Sequence, residues 1–443
     1  MRSASGARRS LGAAARDALG SGGSLLAGLL LPRLTLRQRL ALRSVRARVT
    51  RTRPGWSPPV YDLRLAPIPE PSKRALFSYL AAPFLASRSD SHARDANSWR
   101  ALEIVRALNE MGYLVDVADC TDVSFVPERT YHLFVGHGGH NFDSIASRLG
   151  AEAIKIYYFS GCRWDVHNQR ELARLEDLRV RRGVTLPPDR LVTASEADAL
   201  SIADAFLGVG NEATRRTYSG FDPVHLIPSV VWPDDRGVAS SKDFLSGRRH
   251  FLFFSGPGNV HKGLDLLLDA FDGLREEHLW ICTRIDRPFA AVYGDLLTGR
   301  SNIHLLEWVK PRSPLHYDVL RRSNWIILPS CAEGIATSVV ESMNHGLIPV
   351  VSEACGIDAA ESGIQLSTCS VEEIASTVRE LSSLGEARCR EMSQAASRAA
   401  SDGHSPHVGA RRIREALEAI VAGRKPAPAP DARAGVASIV GPA

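Results

Sequence analysis

Residues 325–351 read WIILPSCAEGIATSVVESMNHGLIPVV, and they predict one β-α-β unit of a parallel sheet. A short apolar run at each end flanks a helical stretch, which is typical of strands buried on both faces. We expect Ser338 and Glu341 to form a capping box, and Gly346 to follow the helix as its C′ residue. Glu333 then lies at the carboxyl end of a strand, where open α/β sheets bind ligands. A purely structural role of Glu341 as a cap partner is the alternative.

A second stretch, residues 250–271, reads HFLFFSGPGNVHKGLDLLLDAF and predicts a strand, a glycine-rich loop and a helix. The helix has one apolar face, formed by Leu264, Leu267, Leu268, Phe271 and Leu274. Free N–H groups at its start, the positive end of its dipole and Lys262 would together hold a diphosphate. The loop matches neither the P-loop nor the dinucleotide fingerprint, and a solvated helix end is the alternative.

Both stretches lie in the same α/β part of the chain. Residues 250–358, which contain them, resemble the donor-binding half of retaining glycosyltransferases of the GT-B fold, family-four type. That family carries a Glu-x7-Glu motif and a Lys-Gly helix start. Residues 73–232 are similar to the other half of these enzymes only in layout. The resemblance implies an α/β fold of two Rossmann-like, doubly wound parallel sheets facing a cleft. It also implies transfer of a sugar from a nucleotide-diphospho-sugar, with retention of configuration.

The resemblance assigns a role to each acidic residue of the motif and to the lysine. Lys262, followed by Gly263, would neutralise the donor diphosphate, and Glu341 would accept hydrogen bonds from the ribose. Glu333, with the backbone of Gly334, would orient the hydroxyls of the transferred sugar.

One position departs from the family pattern. An arginine usually precedes the lysine by about five residues, and here the region reads Gly256-Pro257-Gly258. His261, another basic residue or the backbone N–H groups of Gly258 and Asn259 would have to replace its charge.

Polar loops follow the strands predicted in the first half, and we expect them to face the cleft at residues 87–92, 136–142 and 161–168. His137 and His140 are the candidates for contacting the transferred sugar or the acceptor, and His137 joins Glu333 as a catalytic candidate. Ordinary hydrogen-bonding loop residues are the alternative. No further metal ligand lies near these histidines, and no Asp-x-Asp motif is convincing. We therefore expect metal-independent donor binding without a cofactor.

The segments of the chain follow from composition and pattern. They are a basic arm with a proline-rich linker (1–72), an acceptor-side domain (73–232), an interdomain linker (233–249), a nucleotide-sugar domain (250–403), a C-terminal helix (404–424) and a disordered tail (425–443). Residues 169–182 predict an exposed, charge-laced helix with a solvated face, and contact with an acceptor phosphate or lipid headgroups is the alternative.

The charge distribution and the cysteine content indicate in which compartment the protein acts and which partners it can bind. Seven cysteines without a C-x-x-C pair indicate a reducing compartment, so we expect a cytoplasmic protein. Residues 1–53 hold twelve arginines and one acid, Asp17, which leaves the rest of the chain at −6. The apolar run 25–31 is far too short to span a bilayer. The arm would suit an anionic membrane surface at the inner face, while a compositional arginine bias is the alternative. No nucleic-acid motif is present.

Three functional hypotheses follow. The first is a glycosyltransferase acting on a carbohydrate or lipid-linked acceptor, as in polysaccharide biosynthesis. The second is a sugar-nucleotide epimerase or a phosphorylase-like enzyme on the same fold. The third is a non-catalytic protein that binds nucleotide sugars and associates with membrane or nucleic acid.

Overall fold

The computed structural model describes residues 57–69, 73–85 and 95–423. The basic arm with its membrane hypothesis, the loop at 87–92 and the tail at 425–443 lie outside the described residues, as does part of the proline-rich linker.

Two sheets organise the described chain. The strands are β1 (Val60–Leu63), β2 (Lys73–Tyr79), β3 (Tyr113–Asp119), β4 (Leu133–His137), β5 (Ile154–Phe159), β6 (Ala205–Val209), β7 (Val224–Ile227), β8 (His250–Phe254), β9 (His278–Cys282), β10 (Ile303–Leu305), β11 (Trp325–Leu328), β12 (Ile348–Ser352) and β13 (Ile364–Leu366). The helices are α1 (Ala82–Leu85), α2 (Ala96–Glu110), α3 (Phe142–Ala146), α4 (Trp164–Arg182), α5 (Ala197–Ile202), α6 (Glu212–Arg216), α7 (Phe244–Gly247), α8 (Leu264–Asp272), α9 (Arg287–Gly299), α10 (Pro314–Arg322), α11 (Thr337–Asn344), α12 (Val371–Ser382), α13 (Glu386–His404) and α14 (Pro406–Ala422).

The first sheet has seven strands in the order β1-β3-β2-β4-β5-β6-β7. Every pairing is parallel except that of β1 with β3. The proline-rich linker predicted before residue 73 therefore contributes an antiparallel edge strand, in which Val60 pairs with Val117.

The second sheet is wholly parallel, with the order β10-β9-β8-β11-β12-β13. Numbered within this sheet, the order is 3-2-1-4-5-6, that of a dinucleotide-binding fold. Its strands are buried on both faces by helices, which explains their nearly continuous apolar sequence. Both sheets confirm the predicted α/β fold class.

The core of the second sheet includes the predicted apolar face of α8. Leu264, Leu267 and Phe271 are fully buried there. Burying each such side chain contributes about 1.5–3 kcal/mol relative to an exposed position, so this face fixes α8 against the sheet.

Helix α4 belongs to the first half by chain order but packs on the second. Leu178 is fully buried in the core of the second sheet. Arg181 forms ion pairs with Asp265 and Asp269 of α8, and Arg182 also pairs with Asp269. The prediction of a simple solvated face is therefore wrong for the last turns of this helix.

The end of the chain returns to the first sheet. Ile413, Leu417 and Ile420 of α14 join the core that contains β2, β3 and α2. The segment 233–249, which joins the first sheet to the second in sequence, includes a 3₁₀ turn at Ala239–Ser241 and helix α7.

Within the described part of the chain, none of the helices combines the length and the apolar character needed to cross a bilayer.

Candidate active site between the two sheets

The strand order of the second sheet reverses between β8 and β11, which are hydrogen-bonded neighbours. Ligands of open α/β sheets bind at such a reversal, outside the carboxyl ends of the strands. The loop after β8 carries Lys262, and the loop after β11 carries Glu333. The sheet topology therefore brings the loops of Lys262 and Glu333 together at the carboxyl ends of β8 and β11.

Lys262 and Glu333 are in direct contact across these loops. The Lys262 ammonium donates to a Glu333 carboxylate oxygen that also accepts from the Ser330 hydroxyl at 2.7 Å. Burial raises the pKa of Glu333, but the positive charge and hydrogen bond of Lys262 outweigh it and hold that pKa below its ordinary value. Glu333 is therefore an ionised hydrogen-bond acceptor at neutral pH.

The glycine-rich loop is a tight turn that uses its own N–H groups. Gly258 and Gly263 have φ values of +105° and +79°, which favour glycine. Three N–H groups donate within the turn: Lys262 to Gly258 at 2.8 Å, Gly263 to Val260 at 2.9 Å and Leu264 to Asn259 at 2.9 Å. These three N–H groups are therefore engaged within the turn, and the cationic group that the loop presents is the Lys262 side chain in its pair with Glu333.

Asn259 is a buried link between neighbouring loops. Its side-chain amide donates to the Arg284 carbonyl at 2.9 Å and accepts from the Asp286 N–H at 3.1 Å. The side chain therefore holds the turn, and the predicted contact of the Asn259 backbone N–H with the donor stays a prediction.

His261 lies at the centre of a buried polar cluster and is 1% exposed. Its Nδ1 contacts the Glu171 carboxylate, and its Nε2 donates to the Ala332 carbonyl at 2.8 Å. Both ring nitrogens are thus engaged by protein groups. The predicted role of His261 in donor binding stays a prediction. In the structure, His261 connects the loop after β8 and the loop after β11 to α4.

The same cluster contains the described residues that could together hold a metal ion. Ligand atoms of His167, Glu171 and His261 lie within 4.8 Å of one another. Burial, with the nearby charge of His261, lowers the pKa of His167. Hydrogen bonds from His167 to the Arg190 carbonyl and from His261 to Glu171 already hold the cluster together.

Glu341 is the second carboxylate of the motif and is 7% exposed. Helix α11 begins after Ala336 without a side-chain cap, so the predicted capping box of Ser338 and Glu341 is wrong. Instead, the Arg312 guanidinium donates to both Glu341 oxygens, at 2.9 and 3.2 Å. Both contacts come from one guanidinium nitrogen, Nη2, so Arg312 holds the carboxylate by a charge-assisted, forked contact.

His137 closes β4 in the first sheet, and its ring stacks on Tyr79 with 5.3 Å between centroids. Because the Gly138 carbonyl 3.1 Å from Nδ1 can only accept, Nδ1 carries the proton and Nε2 accepts from the Ser160 hydroxyl at 3.2 Å. Burial lowers the pKa of His137 to about 4, so the ring is neutral at pH 7. His140 lies in the turn that follows β4.

A cavity of about 350 Å³ lies between the two halves. Its lining includes His137, Ser160, Gly161, Arg190, Glu333 and Gly334. Gly334 packs closely against the first half, because a Cβ there would lie 2.5 Å from the Val209 carbonyl oxygen. The cavity therefore joins the candidate residues of both sheets.

Comparison with solved structures identifies this arrangement of two sheets. Sucrose-phosphate synthase from Thermosynechococcus elongatus superposes with a TM-score of 0.55 at 12% identity, over 79% of this chain and 99% of that chain. HepE from Anabaena, solved in complex with UDP-glucose, gives a TM-score of 0.51 at 12% identity, over 78% and 100%. The fold is GT-B. TarM gives 0.46 at 12% identity; the match covers 65% of this chain and about half of TarM, 54%.

Sequence comparison agrees with the GT-B fold in the second half. Residues 248–383 match the family model of glycosyl transferases group 1. This range contains the loop of Lys262 and both glutamates of the motif. No curated protein matches the chain by sequence. The family match and the fold together support a glycosyltransferase.

Three residues of this GT-B cleft were not found by sequence reasoning: Glu171, Arg190 and Arg312. Glu171 and Arg190 lie more than seventy positions before Lys262 in the chain, so no local pattern connects them to it. A signal for Arg312 does exist, because Arg312-Ser313-Pro314 places a cation directly before a capped helix start.

Proposed function

We propose that this chain is a retaining glycosyltransferase that moves a sugar from a nucleotide-diphospho-sugar to a hydroxyl of a carbohydrate or lipid-linked acceptor. The observation that carries the proposal is the contact between Lys262 and Glu333 at the strand-order reversal, beside a cavity shared by both sheets. A cation and an ionised acceptor at one point suit a diphosphate joined to a hydroxyl-rich sugar.

In the proposed complex the donor diphosphate takes Glu333's place beside Lys262. Glu333 then accepts hydrogen bonds from the hydroxyls of the transferred sugar, with the backbone of Gly334 beside it. Glu341, oriented by Arg312, accepts from the ribose hydroxyls. The Lys262 ammonium thus meets the negative phosphate oxygens, and the two carboxylates accept hydrogen bonds from hydroxyl groups.

In the proposed reaction, the bond from the anomeric carbon to the diphosphate oxygen breaks as the acceptor oxygen bonds to that carbon. The acceptor proton passes to a phosphate oxygen of the departing nucleoside diphosphate. Attack from the same face retains the anomeric configuration. The positive charge of Lys262 stabilises the leaving nucleoside diphosphate as its negative charge develops. Electrostatic stabilisation of this kind is usually the largest contribution to catalysis.

The first half is proposed to hold the acceptor. Neutral His137 lies at the cavity wall with Nε2 as an acceptor, so it suits a hydroxyl of the acceptor or of the transferred sugar. The protein's own cations are proposed to balance the diphosphate without a metal ion. We propose a cytoplasmic location, with residues 1–53 on the anionic inner face of a membrane.

The test is a calorimetric screen of the full chain against UDP-, GDP- and ADP-sugars, followed by proton NMR of the sugar released from the donor that binds. We expect one nucleotide to be preferred and the released sugar to keep its anomeric configuration at first. Inversion would overturn the retaining mechanism. Binding without release of a nucleoside diphosphate under any condition would favour the non-catalytic hypothesis.

A further inference from the structure

Arg190 reaches from the first half to the loop that precedes Lys262. A Cβ built on Gly258 would lie 2.9 Å from Cγ of Arg190 and 3.1 Å from its Cδ, so the arginine side chain passes directly over this glycine. Arg190 also lines the cavity that contains Glu333 and Gly334. An arginine distant in sequence thus lies beside the segment in which the family pattern has its own arginine.

Three further cations near this end of the cleft already have protein partners. Lys262 pairs with Glu333, and Arg312 pairs with Glu341. Arg174 donates to the Pro329 carbonyl at 3.0 Å. Arg190 is exposed and forms no ion pair within residues 57–69, 73–85 and 95–423, although its charge acts on the neighbouring Asp189 carboxylate. Its charge is therefore available to an anionic ligand without displacement of a protein partner.

The backbone of Arg190 is held from both sides by α4. Its N–H donates to a Glu171 carboxylate oxygen at 3.1 Å, and its carbonyl accepts from His167 Nε2 at 2.7 Å. The other Glu171 oxygen contacts His261, the residue before Lys262. One buried carboxylate therefore connects the backbone of Arg190 to the loop that carries Lys262.

We infer that Arg190 is the second diphosphate-binding cation of the cleft, supplied by the first half, and that Glu171 is a positioning residue that fixes it relative to Lys262. The inference rests on the proposed function, since it names a ligand group of the same donor. A guanidinium suits this role because its planar N–H groups bind phosphate oxygens in a bidentate manner. Closing the cleft over a nucleoside diphosphate would then involve charge from both sheets.

The test is calorimetric titration of the full chain with UDP, GDP and ADP, and with the matching nucleosides. Wild type is compared with Arg190→Ala, Arg190→Lys and Lys262→Ala. The matched control is Arg179→Ala, which removes an arginine of α4 whose exposed partner is Glu176. For the diphosphate that wild type binds, we expect Arg190→Ala to weaken affinity by about 10- to 100-fold and Arg190→Lys to weaken it less. Affinity for the nucleoside should stay unchanged.

The outcomes separate this inference from the proposed function. If wild type binds none of the three diphosphates, the proposed function fails. If wild type binds one and Lys262→Ala weakens it, while Arg190→Ala behaves like Arg179→Ala, the role of Arg190 is overturned and the proposed function stands.

The positioning role of Glu171 is tested with a double variant. Glu171→Gln should weaken diphosphate binding while Arg190 is present, and should add less than about twofold in the Arg190→Ala background. Equal losses in both backgrounds would overturn the coupling. A melting curve of each variant shows whether the fold is retained.

Discussion

The Lys262 ammonium and the Glu333 carboxylate are bound to each other in the cleft, with side chains only 11% and 14% exposed. In the proposed complex a donor diphosphate competes with Glu333 for the Lys262 ammonium, and the carboxylate that it displaces can accept from the sugar. The proposed site would then couple binding of the diphosphate to the availability of Glu333.

Glu333→Gln separates these two roles. We expect turnover to fall by about 100-fold, because the neutral amide is a weaker acceptor for the sugar hydroxyls in the transition state. Affinity for the nucleoside diphosphate should stay equal or rise, since Lys262 no longer has to leave a carboxylate. Steady-state kinetics and calorimetry measure the two quantities, and a loss of diphosphate affinity of more than tenfold would contradict the assignment.

Glu341→Gln tests recognition of the ribose. Wild type should bind the ribonucleoside diphosphate more tightly than its 2′-deoxy analogue by about tenfold, because a charged hydrogen bond is lost with the hydroxyl. The variant should bind both with similar affinity. Equal discrimination in wild type and variant, measured by calorimetry, would place the ribose elsewhere.

Arg181→Ala tests the attachment of α4 to the second sheet. Asp265 is fully buried, so loss of its arginine partner should reduce the free energy of unfolding by about 3–5 kcal/mol. The control Arg179→Ala breaks an exposed pair and should leave the free energy of unfolding nearly unchanged. Urea denaturation measures both, and equal small effects would show that the buried pair is not important for stability.

The stability of the protein should depend on pH through its buried histidines. Burial lowers the pKa of His137 from 6.5 to about 4, so the unfolded chain takes up a proton at higher pH than the folded chain does. This contribution is fully present above pH 6.5 and is lost as the pH falls toward 4. Melting temperatures between pH 8 and 4 should decline more gently in His137→Gln, and identical slopes in both proteins would contradict the prediction.

Removal of divalent metal tests the proposal that protein cations balance the donor. After dialysis against EDTA, we expect diphosphate affinity to stay within about twofold, because Lys262 and Arg190 provide the positive charge. A loss that Mg²⁺ or Mn²⁺ restores would show metal-dependent binding. A loss that only Zn²⁺ restores would instead direct attention to His167, Glu171 and His261, because their donor set suits that ion.

The second sheet was largely predictable from sequence. The apolar runs at the starts of the stretches 250–271 and 325–351 form β8 and β11, as predicted. Strands buried on both faces need continuous apolar sequence, which makes them visible. The three-residue strand β13 and the edge strand β1 escaped because short or half-exposed strands carry little pattern.

The candidate site was predictable only where it follows one stretch of chain. The loops of Lys262 and Glu333 were found because each directly follows an apolar strand. Glu171 was not, because a contact between residues distant in sequence leaves no periodic signal, and the cation before a capped helix at Arg312 did not by itself indicate its partner Glu341. The charge-laced pattern of α4 likewise could not show that Arg181 meets Asp265.

The docking of α4 on the second sheet also determines where the molecule can bend. Any relative rotation of the two sheets must either break the pairs of Arg181 and Arg182 or carry α4 along with the second sheet. In the latter case the flexing points include the ends of the segment 160–196, in addition to residues 233–249 and the junction before α14, where the chain crosses between sheets. The mechanical hinge then extends beyond the covalent linker.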